Sequence, residues 1–324
     1  MKNNKIQTSI IITTFNREKN LFELINLINK QVSIVKNTIE IVICDSNSRK
    51  KLSVLNYIKQ FSSLRIVYYN CKINHQAFKR NYGINNSLGK YKIFIDDDCF
   101  PENNFSYQYL KTLHLNRKKI IYFGLVSYVK FAENKNLIKY RQSRVYSMPN
   151  QQSVPYKNFL TMNMGYNSET ICKNDIFFNN KFRNYGFEDY EFAYRFQEKS
   201  YKLIQLKSLV HHRDNRNFKD FLKKYNFLGE HGINDIIKIN PRAAKNLIYY
   251  KIERNFFISI FLKIPATRFL LNFFEKKISL IEKKMPLYIS FLYEIGILIA
   301  YLKGVVLRNF FNTSKDFKKN EWYR

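Results

Sequence analysis

Four short, apolar, β-branched runs separated by segments of helical period fill the first hundred residues, and this alternation restricts the chain to few folds. The runs are 9–13 (SIIIT), 40–44 (EIVIC), 64–69 (LRIVYY) and 91–95 (YKIFI), and the segments between them are 17–31, 50–61 and 75–87. Strands alternating with helices of this length build βαβ units and hence a parallel, doubly wound α/β sheet. Ligands of such sheets bind beyond the carboxyl ends of the strands. The polar residues that follow each run are therefore the ones to read for chemistry.

After Pro101 the rhythm changes. The pattern predicts a helix over 105–116, a strand over 119–131 and a long polar loop over 134–157. An extended piece over 159–164, a helix from about Glu188 and a strand over 202–206 follow. From about Pro241 the composition shifts to helix formers, aromatics and lysine, with 16 Lys and Arg against 6 Asp and Glu. The natural division is 1–116, 117–240 and a basic, aromatic-rich helical tail over 241–324. The two most apolar stretches of the tail, 256–274 and 287–307, are broken by Lys263, Pro265 and Arg268 and by Glu294 and Lys303. Neither offers the roughly 18 uninterrupted apolar residues that a spanning helix needs. Basic helices of this kind suit an anionic membrane surface; the alternative is that they pack on the catalytic part.

Hydrophobic residues make up 45% of the 324, which excludes global disorder. The net charge of +30 calls for a polyanionic neighbour: nucleic acid, an anionic membrane face or phosphorylated ligands. Cys44, Cys71, Cys99 and Cys172 are widely spaced, without CxxC, and read as buried free thiols of a reducing compartment. The polar start of the chain has no apolar signal-peptide core. The expected location is cytoplasmic, peripheral on the inner face of the cell membrane.

The most chemical segment is 94–101, FIDDDCFP, in which a strand delivers Asp96, Asp97 and Asp98 at its end. Asp96 and Asp98, two apart, can turn the same way while Asp97 points elsewhere. Such a pair holds a hard divalent cation through oxygen and leaves sites open for substrate phosphates. A second cluster is Gly186-Phe187-Glu188-Asp189, two acids at a helix start where the macrodipole alone would favour them. A third is Leu209 to Asp214, with His211 and His212 adjacent.

Together, SIIITTFNR, IVICDSNS, KRNYGINNSLGKYKIFIDDDC and NYGFEDYEFAYRF, in this order and spacing, resemble glycosyltransferase family 2. The last motif resembles the acceptor-side segment of galactosyltransferase-type enzymes. The resemblance covers roughly residues 8 to 232 and implies a GT-A fold, Rossmann-like and mostly parallel, with the tail as a helical extension. It implies a nucleotide site at Thr13, Thr14, Asn16, Asp45, Arg80, Asn81, Asp96 and Asp97, and Mn2+ or Mg2+ on Asp96 and Asp98. Where the family usually has Asp-Asp or Asp-Asn before Gly-Ser, this chain has Asp45-Ser46-Asn47-Ser48, which loosens the tie to one base. The resemblance makes Asp189 the catalytic base and Glu188 an acceptor-binding carboxylate; a pocket of Tyr185, Phe187 and Tyr190 would raise the pKa of Asp189. A metal-ligating histidine is implied at His211 by the galactosyltransferase-like pattern and at His212 by the spacing to Phe218; both stand.

The expected activity is inverting, metal-dependent transfer of a Gal, GalNAc or Glc type sugar from a UDP-sugar to an acceptor hydroxyl. The product would be a surface polysaccharide or lipid-linked glycan. One rival is a nucleotidyltransferase making the activated sugar, although 9–18 lacks the Gly-rich loop of such enzymes. The other is a basic nucleic-acid-binding protein, which would leave Asp96 to Asp98 and Glu188-Asp189 as negative islands; no nucleic acid is expected as a partner.

Overall fold

All four apolar runs become strands: Thr8–Thr14 (β1), Ile39–Asp45 (β2), Arg65–Asn70 (β3) and Tyr91–Asp96 (β4), with helices Glu18–Gln31 (α1), Lys51–Ile58 (α2) and Gln76–Asn85 (α3) between them. These come from a computed structural model that describes residues 5–32, 38–46, 51–129, 135–145, 153–173 and 175–311. Residues 47–48 of the Asp45 run, 130–131 of the predicted strand and 146–152 of the predicted loop lie outside the described residues.

Period-two alternation sends each strand's side chains to two different cores. Ile10 and Ile12 of β1 pack with Leu21, Leu24 and Ile25 of α1. Ile11 instead joins Val42, Ala77 and Ile84 on the α3 side. Ile10 and Ile12 are fully buried, and burying such a side chain contributes about 1.5–3 kcal/mol. α3 lies so close to β1 that a Cβ on Gly83 would come within 2.5 Å of the Ile11 side chain.

The chain continues with Cys99–Pro101 (β5), Phe105–Leu113 (α4), Ile120–Tyr128 (β6), Lys135–Ser143 (α5), Asn163–Asn167 (β7), Glu188–Glu198 (α6) and Lys202–His212 (β8). The eight strands form one sheet in the order β3-β2-β1-β4-β7-β6-β8-β5. β1 to β4 are parallel and β6 pairs parallel with β8, whereas β7 runs antiparallel to β4 and β6, and β5 antiparallel to β8. The sheet is thus mixed: a parallel half carrying β1 to β4 and a half of alternating direction. Every functional strand end named below opens on one edge of it.

Three expectations are corrected here. The polar loop over 134–157 contains α5, a helix so polar that only Leu137, Ile138, Tyr140 and Arg141 are buried. The strand expected over 202–206 runs on to His212, since Leu209 and Val210 continue the ladder with β6. Cys172 is exposed, while the other three thiols are buried.

Beyond β8 come Phe218–Phe227 (α7), a π-helical turn Leu228–Gly232, Ile233–Ile239 (α8), Pro241–Lys245 (α9), Ile248–Arg254 (α10), Phe256–Phe261 (α11), Thr267–Lys284 (α12) and Ser290–Phe311 (α13). α13 is long and apolar enough to cross a membrane by length and composition, although Glu294 and Lys303 interrupt it; half of that window is buried in the protein. Both charges are answered within the fold, Glu294 by Arg144 and Lys303 by Glu275 at 2.9 Å. α13 packs on α7 and on the π turn, where Tyr293 and Tyr301 are fully buried. The helices meet backbone to backbone: a Cβ on Gly304 would lie 1.9 Å from the Asn226 carbonyl oxygen, and one on Gly229 2.1 Å from that of Tyr301. The outer helices stay open, with Phe256, Phe257, Phe269, Phe273 and Phe291 exposed.

Candidate active site

Carboxylates from β4 and the turn after it meet partners from three other parts of the chain. β1 ends in Thr13 and Thr14, both buried. The Thr14 hydroxyl donates to Asp97 Oδ2 at 2.6 Å, whereas the buried Thr13 hydroxyl has no partner among the described residues. Asn16, exposed and left-handed at φ 56, turns the chain into α1. Arg17 then donates from one nitrogen to Asp97 Oδ1 at 2.9 Å and to Asp98 Oδ2 at 2.6 Å. Asp45 closes β2, buried, and accepts from the Tyr68 hydroxyl at 2.9 Å.

The triplet splits three ways. Asp96 accepts from Arg80 at 3.3 Å, Asp97 from Thr14 and Arg17, and Asp98 from Arg17. Asp98 also faces His212: its Oδ2 lies 3.3 Å from Nε2. The antiparallel register Cys99↔His212 and Phe100↔His211 explains the choice between the two histidines. Adjacent strand residues point to opposite faces, so His212 turns to Asp98 while His211 turns outward to Glu102, 3.2 Å away. His211 therefore does not join the site.

The donors present fit a divalent cation. Two ligands about 2.1 Å from one ion, in cis, sit about 3 Å apart, close to the Asp98–His212 separation. Asp98, Cys99 and His212 bring donor atoms within 4.8 Å of one another. Burial pushes the Cys99 thiol well up, so it stays protonated and is a poor ligand. What remains is a carboxylate and an imidazole, donors that a divalent first-row cation accepts. Burial opposes ionisation of Asp98, yet His212 and then Arg17 hold its carboxyl well below the usual carboxylate range.

On the far side of Arg80 stands the helix-start pair. Arg80 is buried and donates to Asp189 Oδ1 at 2.7 Å while lying 3.8 Å from Glu188 Oε1 and stacking over Phe178. One guanidinium thus links the strand-end Asp96 to both acids of α6. Gly186 at φ 109 and Phe187 at φ 67 form the sharp turn that aims them. A non-glycine in the left-handed region costs energy, and here the turn is locked from below, since a Cβ on Gly186 would meet Leu228 of the π turn at 2.1 Å.

Two expectations change. The desolvated carboxyl is Glu188, not Asp189. Burial first, then the adjacent Asp189, push Glu188 up to about 7 against the pull of Arg80. Asp189 is a third exposed and ion-paired, outside the apolar pocket expected for it. Asn81, expected beside the nucleotide, is instead a buried clamp: its amide donates to the Phe178 carbonyl and Asn180 and accepts from the Phe178 N–H. Sequence reasoning also missed Lys79, fully buried, which donates to the Thr14 carbonyl and to Asn74, both at 3.1 Å. Burial lowers its ammonium to about 8, against the pull of Asp97 and Asp45. A lysine next to Arg80 in so basic a chain gave no signal of its own.

The model of the family "Glycosyl transferase family 2" matches residues 9–182, more than half of the chain. An uncharacterized glycosyltransferase of Rickettsia conorii is 34% identical over 145 residues, 44% of this chain and 23% of that protein. One of Rickettsia felis is 34% identical over 142 residues, 44% and 22% of the two chains. The chain spans about a quarter of the length of these curated relatives. Among solved structures, S. aureus TarS in complex with UDP-GlcNAc superposes with TM-score 0.52 at 14% identity, over 97% of this chain and 93% of that one. The mannosyltransferase PcManGT from Pyrobaculum calidifontis, in complex with GDP-Man and Mn2+, gives 0.58 at 13% identity, over 96% and 88%. At such identities the likeness shows a shared fold, that of the GT-A glycosyltransferases. With the family model spanning more than half of its length, the chain belongs to glycosyltransferase family 2.

Proposed function

We propose that this glycosyltransferase moves a sugar of Gal, GalNAc or Glc type from a UDP-sugar to an acceptor hydroxyl, with inversion at the anomeric carbon. The observation that carries the reading is the Arg80 bridge, which joins the strand-end carboxylates to Asp189 and Glu188 in one site. Thr13, Thr14 and Asp45, at the ends of β1 and β2, would receive the nucleotide, with Lys79 fixing the Thr14 backbone beneath it. Asp98 and His212 would hold Mn2+ or Mg2+, with Asp96 alongside; bound there, the ion supplies Lewis-acid stabilisation of the departing diphosphate. Asp189 accepts the acceptor hydroxyl's proton as the oxygen attacks, and Arg80 keeps that carboxylate aimed. Glu188, buried behind it, binds the acceptor.

On this reading residues 1–116 hold the donor, 117–240 the acceptor, and 241–324 rest on an anionic membrane surface on the cytoplasmic side, where a lipid-linked glycan or surface polysaccharide is extended. Phe256, Phe257, Phe269 and Phe273 stand exposed among Lys263, Arg268, Lys276 and Lys277, as an interfacial helix requires.

Donor hydrolysis over a panel of UDP-, GDP- and dTDP-sugars with Mn2+ tests the donor assignment. UDP-sugars should be consumed fastest; turnover confined to GDP- or dTDP-sugars would overturn it.

A further inference from the structure

The turn that carries Glu188 and Asp189 is held by α3 at both of its ends. The downstream grip is Arg80, which donates to Asp189 Oδ1 at 2.7 Å. The upstream grip is His75, the residue that opens α3, whose Nε2 lies 3.1 Å from the Asn184 carbonyl oxygen. A carbonyl only accepts, so Nε2 carries the proton and Nδ1 keeps its lone pair. His75 is 4% exposed, and burial holds its imidazole below the ordinary histidine value. The ring that grips Asn184 is therefore neutral.

A polar side chain just before a helix commonly accepts from that helix's own first N–H groups. His75 makes no such bond and instead reaches a segment 109 residues further along the chain. Its backbone is fixed all the same, since its carbonyl accepts the Lys79 N–H at 3.0 Å. The imidazole thus projects from the same helix as Arg80. Asn184 is also held by Asp235 of α8, whose Oδ2 accepts from the Arg183 N–H at 2.9 Å, the Asn184 N–H at 2.8 Å and the Asn184 side-chain amide at 3.2 Å. Between the two grips lie Gly186 and Phe187, both at positive φ. Such a turn persists only where its surroundings over-determine it. Packing on Leu228 has no preferred direction, whereas a hydrogen bond does.

We infer that His75 is a positioning residue: by fixing the Asn184 carbonyl it sets where the following turn presents the Asp189 carboxylate. Its importance for sugar transfer rests on the reading of Asp189 as the base. His75 and Arg80 then work as a pair, one placing the start of the turn and the other its acid.

Two variants of the full chain separate the bond from the shape. His75→Phe keeps a buried ring but has no N–H to give; His75→Gln can still donate from an amide nitrogen near the place of Nε2. Hydrogen–deuterium exchange is read over residues 182–190, and turnover as hydrolysis of the UDP-sugar that the donor panel selects. In His75→Phe this segment should exchange about 10-fold faster, the scale of one lost hydrogen bond. kcat should fall about 10-fold or more, because a small misplacement of a reacting group is costly. His75→Gln should restore both, and UDP affinity by calorimetry should hold in both variants. Native exchange in His75→Phe would overturn the inference. So would equal losses in the two variants, or a fall in UDP affinity, because His75 would then serve packing or the nucleotide. Faster exchange with unchanged kcat would uphold the grip on the turn and overturn the base assignment of Asp189 instead. The exchange measurement needs no nucleotide, so it reads the grip even if the donor assignment fails.

Discussion

Two pairs of acids face each other across Arg80, and they are tuned in opposite directions. Asp98, at the strand end, is buried yet held ionised by His212 and Arg17. Glu188, at the helix start, is as deeply buried, but the adjacent Asp189 carboxylate outweighs the pull of Arg80 and its pKa rises to about 7. Burial is common to both; the sign of the neighbouring charge decides the outcome. On the proposed reading, the group that would coordinate a cation is kept charged, and the group beside the proposed base can hold a proton near neutrality. Arg80 stands between the two, paired with Asp96 on one side and with Asp189 on the other.

The largest effect should come from the strand end. Asp98→Asn removes the charge and one cation donor, and turnover with Mn2+ should fall about 10³-fold, several kcal/mol of Lewis-acid stabilisation. UDP binding should lose its metal dependence. Near-normal turnover would break the comparison outright.

At the helix start, Asp189→Asn keeps size and hydrogen bonding but cannot accept a proton. kcat should drop about 10²-fold or more, with UDP affinity intact by calorimetry. An equal loss of UDP binding would move Asp189 to the nucleotide side.

The histidines sharpen the contrast further. His212→Ala should weaken Mn2+ binding, read by paramagnetic resonance, by at least the 10–100-fold typical of a lost supporting group. His211→Ala, which removes only an exposed contact with Glu102, should leave it within about twofold.

The smallest effect concerns stability and pH. The folded chain keeps the Glu188 proton up to about pH 7, above the ordinary 4.5. Stability from this group is therefore present below 4.5 and lost as pH rises through 7. Glu188→Gln cannot ionise, so between pH 5 and pH 8 its melting temperature should gain on the native chain by about 2–4 °C. A constant gap across that range would mean that Glu188 is ionised throughout.

Much of this site was legible before any coordinates. β1 to β4 fall within about two residues of the apolar runs, because β-branched runs between helical segments leave little choice. Asp45 and Asp96 were placed at strand ends by position alone. What escaped was long-range. α5 hid in a polar stretch because Leu137, Ile138 and Tyr140 are too few to register a period. His211 and His212 were inseparable until the full length of β8 and its register with β5 fixed which faces inward. The desolvated acid was assigned to the wrong neighbour, since burial at adjacent positions of one helix turn depends on what packs beneath. Here that is the π turn, some forty residues away in sequence.

The glycine contacts of α13 have a consequence in time. The Gly186 turn sits on Leu228, and the π turn that carries Leu228 sits on α13 through Gly229 and Gly304. α13 is the last described helix to leave the ribosome. At the usual rate of synthesis, about 10–40 s separate the emergence of Asp98 from that of Phe311. During that interval the nascent chain has the strand-end carboxylates but not the support that aims Glu188 and Asp189. The strand-end cluster can form early, whereas the turn that carries Glu188 and Asp189 gains its support only when α13 docks.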